Sequence, residues 1–338
     1  MIMETLQLNP ERGVTLTAYL QSVGGEFGNI PKRPAVLILP GGAYMLCSDR
    51  EADPVAMPYL KAGYQVFILR YSVGKNAVWP NPLEDYEQAM TLLRSREDWN
   101  LLPDKIAVVG FSAGGHLAGA AATMAKNRPN AAILGYPAVG AGTIQLCLPS
   151  APDVPSAVDR NTCPCFVFGT RDDTIVAVKN LLDFTVALDR HGISFESHIY
   201  AYGPHGYSTG DSSVVAPNTQ LCDRAPRWAE DSIAWLRDML GDFGEGAMTE
   251  PRCPRRVHDN GGDRLSIDCT TGYLLEHGAK ALIGPMLDAL TSKHDFGTVD
   301  LTGFLLDMRL RDALSLIKAG PEVIMGLEAQ LSELAPQE

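Results

Sequence analysis

The sequence predicts an α/β fold: a mostly parallel central sheet with helices on both faces, followed by a small all-helical C-terminal domain. Three observations carry that expectation. Short, near-continuous apolar runs rich in β-branched residues recur through the first two-thirds of the chain, as strands covered on both faces do. Helical patterns lie between them, and such alternation specifies a parallel sheet. After Leu240 the strand pattern stops and only helical spacing remains.

The strand runs, in order, are Ala35 to Leu39, Gln65 to Leu69, Lys105 to Val109, Ala132 to Leu134, Cys165 to Phe168 and Phe195 to Tyr200. Four helices are expected between or after them. Leu83 to Leu93 places Leu83, Tyr86, Met90 and Leu93 on one face; Ala113 to Met124, Val178 to Leu188 and Trp228 to Leu240 follow. Gly- and Pro-rich stretches at Gly241 to Gly246, Pro251 to Pro254 and Asp259 to Asp263 then mark a junction. The expected organisation is an α/β domain over residues 1–245, a linker over 246–264 and a helical domain over 265–338. Three apolar stripes support the last: Leu275, Ala279, Leu282, Ile283, Met286 and Leu290; Leu306, Leu310, Ala313, Leu314 and Ile317; and Val323, Leu327, Leu331 and Leu334.

The chain of 338 residues is 46% hydrophobic and 20% charged, a balance that can bury a sizeable core. Its net charge of −12 leaves no basic patch for nucleic acid or an anionic membrane, so neither partner is expected. From Met248 onward there are 9 basic and 14 acidic residues, so the tail is not a basic arm either. No apolar run approaches the ~18 residues of a membrane span. The N-terminus shows no signal-peptide pattern. Seven scattered cysteines argue against a disulfide scaffold and for a reducing compartment, hence a cytoplasmic location. Cys163-Pro-Cys165 has no matching pair to complete a metal site, and no metal or organic cofactor is expected.

Four local patterns bear on chemistry. Gly110-Phe-Ser-Ala-Gly114 fits G-x-S-x-G, follows a predicted strand and opens a predicted helix. A serine on that tight strand-to-helix turn has its Oγ exposed above the sheet edge. Its hydroxyl needs a base to become nucleophilic. His205, in the Gly203-Pro-His-Gly206 loop after the last strand, is the best placed. His116 would face into its helix, His198 lies in a strand, His191 at a helix end, and His258, His277 and His294 in the junction or tail.

An orienting carboxylate is expected between the serine and the histidine, after a strand. Asp172 and Asp173 both qualify, one to orient the base and the other to cap the next helix. Finally, Leu39-Pro-Gly-Gly-Ala-Tyr44 follows the Ala35 to Leu39 strand, and its glycines let backbone N–H groups point at a developing alkoxide. Gly41 and Gly42 are the expected donors, with the Ala113 amide completing the hole.

These residues resemble the α/β-hydrolase fold, and more narrowly the acetyl-xylan-esterase-like (BD-FAE-like) group. The resemblance extends through Leu37 to Tyr44, Ser48 to Ala56, Ala62 to Ser72, Trp79 to Leu83, Pro164 to Leu181 and Phe195 to Gly206, covering roughly residues 30 to 240. It implies Ser112 as nucleophile, His205 as base and Asp173 as acid, with Asp172 the alternative. Ala43 stands where the group has a third glycine, and Ala177 where it has a proline. The function implied is hydrolysis of short acyl esters, above all acetyl, on sugars or xylo-oligosaccharides, through an acyl-enzyme. An amide hydrolase of the same fold, such as an aryl formamidase or an oligopeptidase-like enzyme, would use the same residues. A non-catalytic binding protein would not need the complete set. For the tail, a lid, a homo-oligomer contact and a partner-binding module are the expectations.

Overall fold

The computed structural model of the protein describes residues 1–292, 301–334 and 336. They divide into two compact units: Met1–Asp189 with Ser194–Arg255, and Arg190–Ile193 with Arg256–Glu338. His294 and the side chain of Leu290 lie outside the described residues.

The first unit holds eight strands: β1 (Ile2–Asn9), β2 (Val14–Leu20), β3 (Arg33–Leu39), β4 (Gln65–Arg70), β5 (Leu101–Phe111), β6 (Ala131–Gly135), β7 (Cys165–Thr170) and β8 (Phe195–Tyr200). Their order in the sheet is β1-β2-β4-β3-β5-β6-β7-β8. The pairs β1–β2 and β2–β4 are antiparallel and the rest parallel. Every residue of β3, β6 and β7 is buried, which is why those segments read as unbroken apolar runs.

The first two strands were not expected, and their chemistry explains it. β2 alternates buried Val14, Leu16 and Ala18 with half-buried Thr15 and Thr17, and β1 is a largely exposed edge. Half-buried antiparallel strands carry a period of two rather than a continuous run.

Six helices belong to this unit: α1 (Asp53–Lys61), α2 (Asn81–Ser95), α3 (Ala113–Met124), α4 (Ala141–Ile144), α5 (Lys179–Arg190) and α6 (Trp228–Leu240). α1 and α6 cover one face, packing on Val36, Ile38, Val66, Val109, Ile133 and Phe166. α2 and α3 cover the other face. Burying each such apolar side chain contributes about 1.5–3 kcal/mol, so the sheet centre is a stiff base for a site.

Connectivity places that site. From β3 the chain passes to β4 on one side, then returns to β5 on the other. The crossing directions reverse there, which opens a crevice beyond the carboxyl ends of β3 and β5. The glycine loop follows β3 and Ser112 follows β5.

Residues 246–255, expected as linker, bond within the first unit. Thr249 N–H donates to Asp242 O (2.8 Å), Arg252 N–H to Asp238 O (2.8 Å), and Ser194 N–H to Arg255 O (3.0 Å). The described residues of the second unit hold helices and no strand: α7 (Thr271–Glu276), α8 (Lys280–Ser292), α9 (Leu301–Leu306), α10 (Leu310–Leu316) and α11 (Pro321–Glu333). Leu265, Cys269, Leu274, Ile283, Leu310 and Leu314 form its separate core. The first apolar stripe of the tail is divided between α7 and α8 at Gly278, whose φ of +105° ends the helical turn.

Candidate active site

β5 delivers Ser112 with its backbone at φ 53°, ψ −117°. That conformation is strained for any residue with a side chain, and the surroundings enforce it. Ser112 N–H donates to Gly135 O (3.0 Å), while Ser112 O accepts from the N–H groups of His116 (3.0 Å) and Ala138 (3.1 Å). The turn closes because residue 114 is glycine: a Cβ there would lie 2.1 Å from Leu39 O.

The loop after β8 carries His205 and is fastened at Gly203. Gly203 N–H donates to Asp172 Oδ1 (2.8 Å), and Gly203 O accepts from Thr170 Oγ1–H (2.7 Å). His205 Nδ1 lies 2.7 Å from Asp173 Oδ2, and its Nε2 lies 2.8 Å from Ser112 Oγ. An ionised carboxylate can only accept, so Nδ1 carries the hydrogen and Nε2 is free to accept from the serine hydroxyl. Ser112, His205 and Asp173 therefore form one hydrogen-bonded run.

Asp173 also accepts, at Oδ1, from Ile175 N–H (2.8 Å) and Val176 N–H (2.9 Å). Three donors hold a side chain only 2% exposed, so the acceptor facing His205 is pre-aimed. The expected division of labour between the two aspartates is only half right. Asp173 does bond the His205 imidazole, but Asp172 caps no helix, since α5 begins only at Lys179; Asp172 instead ties down the His205 loop.

The glycine loop needs a similar correction. Gly41 N–H donates to Glu51 Oε2 at 2.8 Å, so it is not a free oxyanion donor. Its glycine is required for another reason. A Cβ at residue 41 would meet Glu51 Oε2 at 2.6 Å, Phe111 O at 2.7 Å and Ser112 Cβ at 3.0 Å. Gly42, at φ +130°, and Ala113, at the first position of α3, have N–H groups with no bonding partner among the described residues. Of the three expected donors, they are the two that the Glu51 bond leaves over. Ala43, in the place of a third glycine, takes φ 55° and Tyr44 takes φ 56°. Both are in the left-handed region, at a cost of about 1–2 kcal/mol each.

An anchor offsets that cost. Buried His116 donates Nε2–H to Pro152 O (3.0 Å), leaving Nδ1 to accept from Tyr44 O–H (2.8 Å). Burial pushes the His116 imidazole down to about 4, so the ring is neutral. The histidine read as structural from sequence thus holds the loop beside the serine.

Sequence reasoning missed Glu51 and Tyr136, whose side chains bond each other next to this run (Tyr136 O–H to Glu51 Oε1, 2.6 Å). The available signal was a carboxylate within the Ser48 to Ala56 stretch. Among the described residues, no group of three His, Cys, Asp or Glu side chains is gathered as a metal ion would require. No described helix is long and apolar enough to cross a membrane.

Residues 28–134, which span the glycine loop and Ser112 but not Asp173 or His205, match the family model described as BD-FAE. The chain resembles the solved structure of an alpha/beta hydrolase enzyme from a Medee basin deep-sea metagenome library. Identity is 42% and the TM-score 0.66, covering 71% of this chain and 98% of that one. It is 28% identical over 216 residues to the endo-1,4-beta-xylanase B of Butyrivibrio fibrisolvens, covering 55% of this chain and 34% of that protein. It is also 28% identical over 209 residues to the acetylxylan esterase of Xylanibacter ruminicola, covering 54% of this chain and 43% of that protein. The chain spans less than half the length of these two curated relatives.

Proposed function

The chain belongs to the α/β-hydrolase superfamily, and from that premise we propose that it is a carboxylic ester hydrolase acting through Ser112, His205 and Asp173. One observation carries the reading: the run of hydrogen bonds from Ser112 Oγ to His205 Nε2 (2.8 Å) and from His205 Nδ1 to Asp173 Oδ2 (2.7 Å). It ends on a strained serine at the topological switch point of the sheet.

Ser112 Oγ attacks the ester carbonyl carbon while His205 Nε2 takes its proton; Asp173 holds the ring and offsets the imidazolium charge. The carbonyl oxygen becomes an alkoxide that accepts from the Gly42 and Ala113 N–H groups. Collapse of the adduct breaks the carbon–oxygen bond to the alcohol, which leaves with the proton from His205. Water, giving a proton to the same imidazole, then attacks the acyl-serine; collapse of this second adduct breaks the bond to Ser112 Oγ, which takes the proton back from His205 as the acid leaves.

Short acyl groups, acetyl above all, on sugars or xylo-oligosaccharides are the proposed substrates. The likeness to proteins named acetylxylan esterase and endo-1,4-beta-xylanase supports that choice. The test is turnover of p-nitrophenyl acetate, acetylated xylo-oligosaccharides and N-formylkynurenine by the wild type and Ser112→Ala. Both esters should be hydrolysed, with Ser112→Ala slower by at least about 10³-fold. Undiminished ester turnover by Ser112→Ala would overturn the mechanism. A preference for the formamide would move the reading to amide hydrolysis.

A further inference from the structure

Glu51 ends the short helical turn Asp49–Glu51 beyond the glycine loop. It is 4% exposed, and both of its carboxylate oxygens are engaged. Oε2 accepts from Gly41 N–H at 2.8 Å, and Oε1 accepts from Tyr136 O–H at 2.6 Å. The Tyr136 oxygen accepts in turn from Ser208 N–H at 3.1 Å, three residues beyond His205. The Tyr136 ring meets the His205 imidazole edge-on, with ring centres 5.0 Å apart. Ser208 Oγ–H returns to Arg50 O, adjacent to Glu51. Burial pushes the Glu51 carboxyl up, against the opposing hydrogen bonds from Tyr136 and Gly41.

A carboxylate in such a place is costly unless its acceptors are satisfied. Here it is satisfied by donors from two different loops of the site. We propose that Glu51 is a positioning residue for ester hydrolysis: it locks the glycine loop against Ser112 and, through Tyr136, couples that loop to the segment carrying His205. The inference rests on the ester-hydrolase reading above. Oxyanion donors act because they are fixed before charge develops, and a peptide free to rotate must be reorganised during the reaction. With Gly41 N–H held by Glu51, the neighbouring Gly42 N–H stays free for the alkoxide. Glu51 Oε2 and Ser112 Cβ flank the same glycine, at 2.6 Å and 3.0 Å from where its Cβ would stand.

The test is Glu51→Gln, alongside Tyr136→Phe and Ser112→Ala, with p-nitrophenyl acetate as substrate. Glutamine has one acceptor oxygen where glutamate has two, so either Gly41 N–H or Tyr136 O–H loses its partner. For Glu51→Gln, kcat should fall about ten- to a hundredfold with KM within about twofold of wild type. The Kd of an aryl trifluoromethyl ketone, whose adduct with the serine carries the oxyanion, should weaken by a similar factor. Tyr136→Phe keeps the Gly41 bond and should lower kcat by about three- to tenfold, again at steady KM. Should Glu51→Gln not fold, that kcat loss in Tyr136→Phe decides the matter. Wild-type kcat in folded Glu51→Gln or in Tyr136→Phe, or a loss confined to KM, overturns the role. If Ser112→Ala is inactive beside a fully active Glu51→Gln, the positioning role alone falls. If Ser112→Ala retains full turnover, the ester-hydrolase reading falls and this role with it.

Discussion

Asp173 Oδ2 and His205 Nδ1 meet at 2.7 Å across 32 residues of sequence, while Asp172, the next residue to Asp173, binds the Gly203 N–H at 2.8 Å. Two adjacent carboxylates thus serve one loop in two ways. One holds its backbone and the other aims its imidazole. Both bonds start from the carboxyl end of β7 and reach the loop that follows β8, its parallel neighbour in the sheet.

That division predicts unequal losses. Asp173→Asn presents an amide to Nδ1, favours the wrong ring tautomer and should lower kcat by about 10³–10⁴-fold. Asp172→Asn keeps a side-chain oxygen for the Gly203 N–H and should cost less than about tenfold. Steady-state kinetics on p-nitrophenyl acetate separates the two. Equal losses would mean that the aspartates act as one unit.

Ser112, His205 and the Asp172–Asp173 pair stand out because each follows a strand end and neighbours glycine, proline or a turn, while the choice of Asp173 over Asp172 was open from the residues and came only with the family resemblance. β3, β4, β6, β7 and the second half of β5 were legible because burial there makes a continuous apolar run, whereas β8 is a largely exposed edge strand, read from Phe195, Ile199 and Tyr200. Glu51 and Tyr136 were not, because what matters about them is a hydrogen bond spanning 85 residues. Nothing local to either residue announces it. The Gly41 expectation failed for the same reason. A glycine that frees its N–H and a glycine that admits a carboxylate look alike until Glu51 is placed beside it. The β1–β2 hairpin was missed through the wrong template rather than absent signal, since Val14, Leu16 and Ala18 alternate cleanly with Thr15 and Thr17.

The serine backbone itself is a source of strain that can be measured. At φ 53° and ψ −117°, Ser112 bears a Cβ where glycine would be relaxed. Ser112→Ala and Ser112→Gly both delete Oγ and differ only in that Cβ. The glycine variant should be more stable than the alanine variant by about 1–2 kcal/mol, despite its greater freedom when unfolded. Urea unfolding of the pair checks this, and equal stabilities would show that the turn stores no strain.

His116 makes stability depend on pH in a direction that can be worked out. Its folded value is depressed to about 4 from an ordinary 6.5, chiefly by burial. Between those limits the unfolded chain binds a proton that the folded chain refuses, so stability falls as pH drops through the window. The contribution of this one residue is about 3 kcal/mol across the window. A His116→Gln variant should be less stable than wild type at pH 7 but lack this part of the slope. Unfolding free energies of both proteins at pH 7, 6, 5 and 4 provide the comparison; parallel curves would remove His116 as the cause.

The two units predict where the chain can be cut. Each has its own apolar core, Tyr19 to Leu240 in one and Leu265 to Leu331 in the other. Cutting after residue 255 spares every bond that residues 246–255 make to the first unit, and gives up the Ile193–Arg256 bridge and the Val257 N–H to Gly192 O bond. Cutting after residue 247 also strips Asp242 O, Asp238 O and Ser194 N–H of their partners. At roughly 1 kcal/mol for each of these three groups alone, the shorter form should be less stable by at least about 3 kcal/mol. That corresponds to a Tm lower by about 6–12 °C in a domain of this size. The 1–255 form should keep its kcat on p-nitrophenyl acetate, because Ser112, His205, Asp173 and the glycine loop all lie within it. If it unfolds while the full chain is stable, the second unit supplies stability that the separate cores do not reveal. If the two truncations melt together, residues 248–255 are a tether, as their Gly- and Pro-rich surroundings suggested.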